Sequence, residues 1–271
     1  MQDFRGRLRA SAARSGSWLC LGLDPDPAAY PDGMGSEDTL EYCLGIVEAC
    51  APHACAVKPN AAFFEALGDV GQEALADLVA RMPPGLPVIL DGKRNDIGTT
   101  ATKYAEAAFD ELGVDAVTVT PYLGRDTVEP FARHEGKGVF LLARTSNPSA
   151  PDVQDLVLAD GSRLWEAVAR QVRAWDGEYG NLGMVAGATY PEELAAIRRI
   201  AGEAMPLLVP GVGAQGADAA ETLRRGAAAD GAMAVVNVGR AILHAAKTSA
   251  WREEAAAAAK RFAEQLRWRP A

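Results

Sequence analysis

Asp91, Lys93 and Asp96 follow directly on the apolar run 87–90, so one segment delivers two carboxylates and an ammonium group at the end of a strand. Residues two apart on an extended strand share a face. Asp91 and Lys93 are therefore expected to project to the same side, with Asp96 beyond them in the following loop or helix start. Few structural needs explain such a cluster, and it reads first as a site. The plain alternative is a solvated salt bridge at a loop, and the rest of the chain decides between the two.

The elements that must position these groups are visible in the hydrophobic pattern. Short apolar runs bounded by turn residues recur at 18–23, 54–57, 87–90, 116–120, 138–143, 182–186, 206–209 and 232–236. Most are near-continuous in hydrophobicity rather than alternating, which suits parallel strands buried on both faces. Between them lie Ala- and Glu-rich stretches with helical spacing, such as 73–81, 100–112, 163–175, 191–200 and 217–225. Pro191 followed by Glu192 and Glu193 is a good helix start. Eight strand-then-helix units predict an α/β fold, a (β/α)8 TIM barrel forming a single domain over 1–271, with an open doubly wound sheet as the other candidate. A leading helix over 3–14 and a closing helix over 251–268 complete it. The one long connection, 146–161, is a candidate lid over the site.

In such a barrel the site is assembled from loops at the C-terminal ends of the strands. The first run ends in Asp24, the second in Lys58 and Asn60, the third in the Asp91, Lys93 and Asp96 cluster. The fifth leads into Arg144 and Ser146, the seventh into Gly211, Gly213, Gln215 and Gly216, and the eighth into Asn237, Gly239 and Arg240. The last two are Gly-rich turns opening onto helices. Small glycines let backbone N–H groups approach an anion, and Arg240 offers a fork of donors for phosphate oxygens. The spacing Gly211, Gly213, Gly216 also matches a dinucleotide fingerprint, with Asp230 downstream. Its place in the seventh unit, followed by a second Gly-Arg turn, makes a phosphate grip the better reading.

Composition narrows the function classes. The 271 residues are 49% hydrophobic and 23% charged, with a mean hydropathy of −0.05, ordinary for a soluble globular protein. A net charge of −9 argues against nucleic acid or an anionic membrane as the main partner, while an anionic small molecule could still use a local basic pocket. Cys20, Cys43, Cys50 and Cys55 have no metal-type spacing with His53, His134 or His244 and read as reduced thiols of a cytoplasmic protein. No apolar run reaches the length of a membrane span. The opening 14 residues have the Arg/Ser flavour of a transit peptide, but the first strand follows so soon that a short helix is the better expectation.

With Asp24, Lys58, Asp91, Lys93, Asp96, Ser146, Gln215 and Arg240 in this order on successive strand ends, the chain resembles the orotidine 5′-phosphate decarboxylase family over residues 18–245. The segments 58–60, 120–124 and 144–148 look like the longer-chain group common in bacteria. The resemblance implies a cytoplasmic homodimer that uses no metal or cofactor and converts orotidine 5′-phosphate to uridine 5′-phosphate and CO2 in pyrimidine biosynthesis. Lys58, Asp91, Lys93 and Asp96 of the partner subunit would form an alternating charge network, with Lys93 stabilising a C6 carbanion and protonating it. Asp24 and Lys58 would contact the ribose, joined by Asp96 and Thr100 across the subunit boundary. Ser146 would meet the pyrimidine edge, and Gln215, Gly239 and Arg240 the phosphate. The 146–161 connection departs from shorter members, so lid residues do not carry over. Two rival readings are a metal-dependent sugar-phosphate decarboxylase or aldolase on the related barrel, and an inactive nucleotide-phosphate binding protein. Lys58 counts against the first, because a cation there repels the metal; intact Asp91 and Lys93 count against the second.

Overall fold

Alternate residues of each strand face a common interior, and those between them face a surrounding layer of helices. The computed structural model describes residues 3–213 and 216–268. Its strands are β1 (Leu19–Leu23), β2 (Ala56–Pro59), β3 (Ile89–Arg94), β4 (Ala116–Val119), β5 (Gly138–Arg144), β6 (Leu182–Ala186), β7 (Leu207–Val209) and β8 (Ala234–Val238). They pair in parallel in the order β2-β1-β8-β7-β6-β5-β4-β3. Parallel bridges Val57–Val88 and Asn60–Asp91 link β2 to β3, so the sheet forms a nearly closed barrel with no long edge exposed. Every residue of β1, β4 and β6 is buried, which is why these strands read as unbroken apolar runs.

The helices are α1 (Phe4–Ser15), α2 (Thr39–Cys50), α3 (Ala61–Glu65), α4 (Gly68–Ala80), α5 (Gly98–Glu106), α6 (Arg125–Ala132), α7 (Pro151–Gln154), α8 (Leu164–Tyr179), α9 (Pro191–Ala201), α10 (Ala219–Gly226), α11 (Arg240–Leu243) and α12 (Trp251–Gln265). α9 carries Glu192 and Glu193 in its first turn and Arg198 and Arg199 in its last, matching the helix dipole at both ends. Among the boundaries that differ from the sequence expectation, three bear on the architecture. β3 does not stop at Leu90 but runs on to Arg94, with an irregular register against β4 between Leu90 and Arg94, so Asp91 and Lys93 lie within the strand. The stretch 100–112 is α5 followed by a π-helical turn, Ala107–Glu111. α12 ends at Gln265, after which Arg267 bridges Ser17 in antiparallel fashion.

Two apolar shells result. Cys20, Ile89, Phe140, Val185, Leu208 and Val235 fill the barrel interior, and a larger shell, including Leu21, Val57, Val117 and Leu141, packs between strands and helices. α1 closes the end where the strands begin. Phe4 packs edge-on against Phe140 with centroids 5.9 Å apart. Gly138 makes room for it, since a Cβ there would come within 2.4 Å of the Phe4 ring. Around this plug, Arg5 pairs with Asp176 at 2.6 Å, Arg7 with Asp115 at 2.9 Å and Arg9 with Asp230 at 2.8 Å. The opposite end, where the strands finish, is left for chemistry.

Candidate functional site

Polar groups appear one two-residue step beyond the apolar interior, on the same inward parity. Lys58 follows Ala56, Asp91 follows Ile89, Thr118 follows Ala116, Asn237 follows Val235, and Asp24 follows Cys20 and Gly22. Lys58 is only 3% exposed, and its Nζ donates to Asp91 Oδ2 at 2.6 Å. Lys93 Nζ donates to the other oxygen, Oδ1, at 2.5 Å. The Thr118 hydroxyl also donates to Oδ1, at 3.0 Å, and accepts from the Lys93 backbone N–H at 3.0 Å.

This alternation of charge is what permits ionised groups at such depth. Burial alone would raise the Asp91 carboxyl, but the ammonium groups of Lys58 and Lys93 outweigh it and hold the carboxyl well below its usual range. Burial alone would likewise lower Lys58, yet the carboxylates of Asp91 and Asp24 overcome it and raise its pKa above the ordinary lysine value. Lys93 sits at φ 45°, in the left-handed region that disfavours a residue with a Cβ. Its side chain is half exposed, with the ammonium drawn back onto Asp91. The contact with Asp91 locates the Nζ at the mouth of the cleft.

Two adjoining cavities form the cleft over this array. One, of about 300 Å³, is lined by Lys58, Asp91, Lys93, Thr145, Ser146 and Asn147 among others. The other, of about 140 Å³, is lined by Asp24, Lys58, Asn60, Asn237, Gly239 and Arg240 among others. They share Lys58, Asp91 and Pro210 as a common wall. Asp24 Oδ1 and Asn237 Oδ1 are buried and have no hydrogen-bond partner among the described residues. Two unsatisfied acceptors beside an ammonium group suit a ligand with hydroxyl donors. Gly22 lets Asn237 and the Gly239 turn approach β1 closely, since a Cβ there would lie 2.9 Å from both Asn237 Oδ1 and Gly239 Cα.

The structure thus brings together seven of the expected site residues: Asp24, Lys58, Asp91, Lys93, Ser146, Gly239 and Arg240. Asp96 and Thr100 are not among the residues lining the cleft. The Asp96 carboxylate accepts from the Ile97 N–H at 2.8 Å, and Thr100 is exposed at the start of α5. Gln215 lies outside the described residues. Of the 146–161 connection, only Ser146 and Asn147 line the cleft. The remainder folds on itself through a bridge between Val157 and Arg163, and Asp155 lies 3.3 Å from Arg144. Thr118, Asn60 and Asn237 line the cleft without having been singled out by charge; inward parity on their strands is the sequence signal that points to them.

A (β/α)8 barrel with a lysine–aspartate–lysine array at its strand ends defines the class of protein. Residues 17–255 match the orotidine 5′-phosphate decarboxylase / HUMPS family, and the chain belongs to that family. It is 47% identical over 266 residues to an orotidine 5′-phosphate decarboxylase of Roseiflexus sp., covering 97% of this chain and 96% of that one. Among solved structures it is similar to the OMP decarboxylase of Leishmania donovani, with 38% identity, a TM-score of 0.85 and 98% of each chain covered. It is also similar to the UMP synthase of the same organism, with 39% identity and a TM-score of 0.88, covering 98% of this chain and 56% of that longer one.

Proposed function

We propose that this chain decarboxylates orotidine 5′-phosphate to uridine 5′-phosphate and CO2 in pyrimidine biosynthesis, without metal or cofactor, as a cytoplasmic homodimer. The observation that carries the reading is the Lys58–Asp91–Lys93 array, with contacts of 2.6 and 2.5 Å, facing the cleft in a member of this family. Among the described residues, no helix is long and apolar enough to cross a membrane. Loss of CO2 from C6 leaves an electron pair on a ring carbon with no adjacent sink, so a fixed cation must stabilise it. Lys93 supplies that cation and then delivers a proton to C6 as general acid. Asp91 holds Lys93 in place and stands against the departing carboxylate, disfavouring the bound ground state. Lys58 keeps Asp91 ionised.

The smaller cavity takes the ribose phosphate. Asp24 and Lys58 hold the ribose hydroxyls, with Asp96 and Thr100 contributing to the partner's site rather than to their own. Gln215, Gly239 and Arg240 hold the phosphate, and Ser146 meets the pyrimidine edge in the larger cavity. Binding energy gathered at the remote phosphate assists the chemical step. The magnesium-dependent reading is disfavoured because the Lys58 ammonium, 2.6 Å from Asp91, occupies the carboxylate such a metal would need. The test is to add orotidine 5′-phosphate to exhaustively chelated protein and follow pyrimidine absorbance. A fall in absorbance is expected; activity that appears only on adding magnesium would favour the metal-dependent rival.

A further inference from the structure

We propose that Gln154 is a positioning residue that sets Ser146 against the base of the bound nucleotide; this rests on the reading of Ser146 as the residue at the pyrimidine edge. Gln154 closes the four-residue helix α7, eight positions beyond Ser146, and its amide returns to the end of β5. Its Oε1 accepts from Arg144 Nη1 at 3.1 Å and from the Thr145 backbone N–H at 2.9 Å. Its Nε2 donates to the Thr145 hydroxyl at 2.7 Å. A guanidinium and a backbone N–H can only donate, so the amide oxygen must face them and the NH2 must face Thr145. The Thr145 hydroxyl, accepting from that NH2, directs its own hydrogen to Asn147 Oδ1 at 2.7 Å. The residues on both sides of Ser146 are therefore held through one amide.

The other contacts of Ser146 are equally restrictive. Gly187, just past β6, lies beneath it, and a Cβ there would come within 2.9 Å of the Ser146 N, Cα and Cβ atoms. The Gly187 N–H donates to the Arg144 carbonyl at 2.8 Å, and the Thr189 hydroxyl donates to the Ser146 carbonyl at 3.3 Å. Arg144 itself is 1% exposed. Its guanidinium lies 3.9 Å from the centroid of the Tyr190 ring and 3.3 Å from Asp155. A cation held this firmly gives the Gln154 amide a single orientation. Gln154 does not line the cleft, and it acts through the turn that does.

The experiment compares Gln154→Met, which keeps the side-chain length and removes the amide, with Gln154→Glu, which keeps the acceptor. Ser146→Ala and the double variant Ser146→Ala/Gln154→Met complete the set. Inhibition constants are measured for uridine 5′-phosphate, which has a base, and ribose 5-phosphate, which has none. Gln154→Met should weaken uridine 5′-phosphate about tenfold, as expected for losing contacts that hold one polar group in place, and leave ribose 5-phosphate unchanged. Gln154→Glu keeps the acceptor for Arg144 and the Thr145 N–H but lacks the donor to the Thr145 hydroxyl, and should lose less than Gln154→Met. In the Ser146→Ala background, Gln154→Met should add little, because both changes remove the same interaction. Equal weakening of the two ligands, or full additivity with Ser146→Ala, would overturn the proposal. If Ser146→Ala alone leaves the preference for the base intact, the reading of Ser146 fails. If it abolishes that preference while Gln154→Met leaves it untouched, only the role of Gln154 fails.

Discussion

Lys58, with 4% of its side chain exposed, donates to the Asp91 carboxylate at 2.6 Å. Each group keeps the other charged at a depth where either alone would be pushed toward its neutral form. Replacing Asp91 with Asn should therefore destabilise the protein by about 3 kcal/mol, because a buried ammonium loses its counter-charge. Denaturant unfolding of the two proteins checks this.

The same pair fixes a pH dependence. Asp91 is held below its ordinary 3.8, so its contribution to stability is present above that value and is lost as pH falls through the depressed one. Lys58 is held above 10.5, so its contribution is present below that value and is lost as pH rises through the raised one. The stability gap between wild type and Asp91→Asn should shrink as pH falls below about pH 4, where the unfolded chain takes up the proton that the folded Asp91 refuses. Thermal unfolding from neutral pH into acid reads it; a gap that persists undiminished in strong acid would show that Asp91 is not ionised as described.

Lys93→Ala should abolish decarboxylation while retaining affinity for uridine 5′-phosphate, since Lys93 acts at C6 and the phosphate is held in the neighbouring cavity. Single-turnover assay and equilibrium binding separate the two effects. Substantial residual turnover would remove Lys93 from the role of general acid.

Arg240→Ala should mainly raise KM, by the loss of a charge-assisted contact of about 1.5–3 kcal/mol. Arg240 is exposed at the edge of the smaller cavity, so its removal should leave the barrel stability near that of wild type. Unchanged kinetics would show that the phosphate is held elsewhere.

Lys93 lines this chain's cleft and Asp96 does not, which suits a site completed by a second subunit. Mixing inactive Lys93→Ala with inactive Asp96→Ala should then regenerate activity, because each mixed dimer has one doubly altered site and one intact site. Random exchange makes about half the dimers mixed, so about a quarter of wild-type sites should return under twofold symmetry. Demonstrated heterodimers without recovery would mean that both residues act within one chain.

Much of this architecture is legible before any coordinates, because parallel strands buried on both faces leave unbroken apolar runs and the charges that follow them mark their ends. Asp24, Lys58 and Asp91 are found that way. The boundary of β3 is missed for the same reason: a strand that carries a site turns polar before it ends, so apolar patterning stops at Leu90 while the backbone runs on to Arg94. Asn237 is marked by its place at the end of the eighth run, whereas Thr118 is uncharged and lies inside its run, so only inward parity distinguishes it. Gln154 is beyond sequence reasoning altogether, since its importance lies in a return contact to Arg144 and Thr145 across a turn whose shape no local pattern specifies.

The plug formed by α1 has a consequence for how the chain reaches its native state. Arg5 meets Asp176 across 171 residues and Arg9 meets Asp230 across 221. The partners of α1 therefore lie far along the chain from it. Loop closure over such separations is slow relative to forming neighbouring βα units, so docking of α1 is expected to be a late event. Until then the Phe4 ring and the interior beneath Phe140 remain exposed to water and to other chains, and the opening helix acts as the final seal on an otherwise assembled barrel.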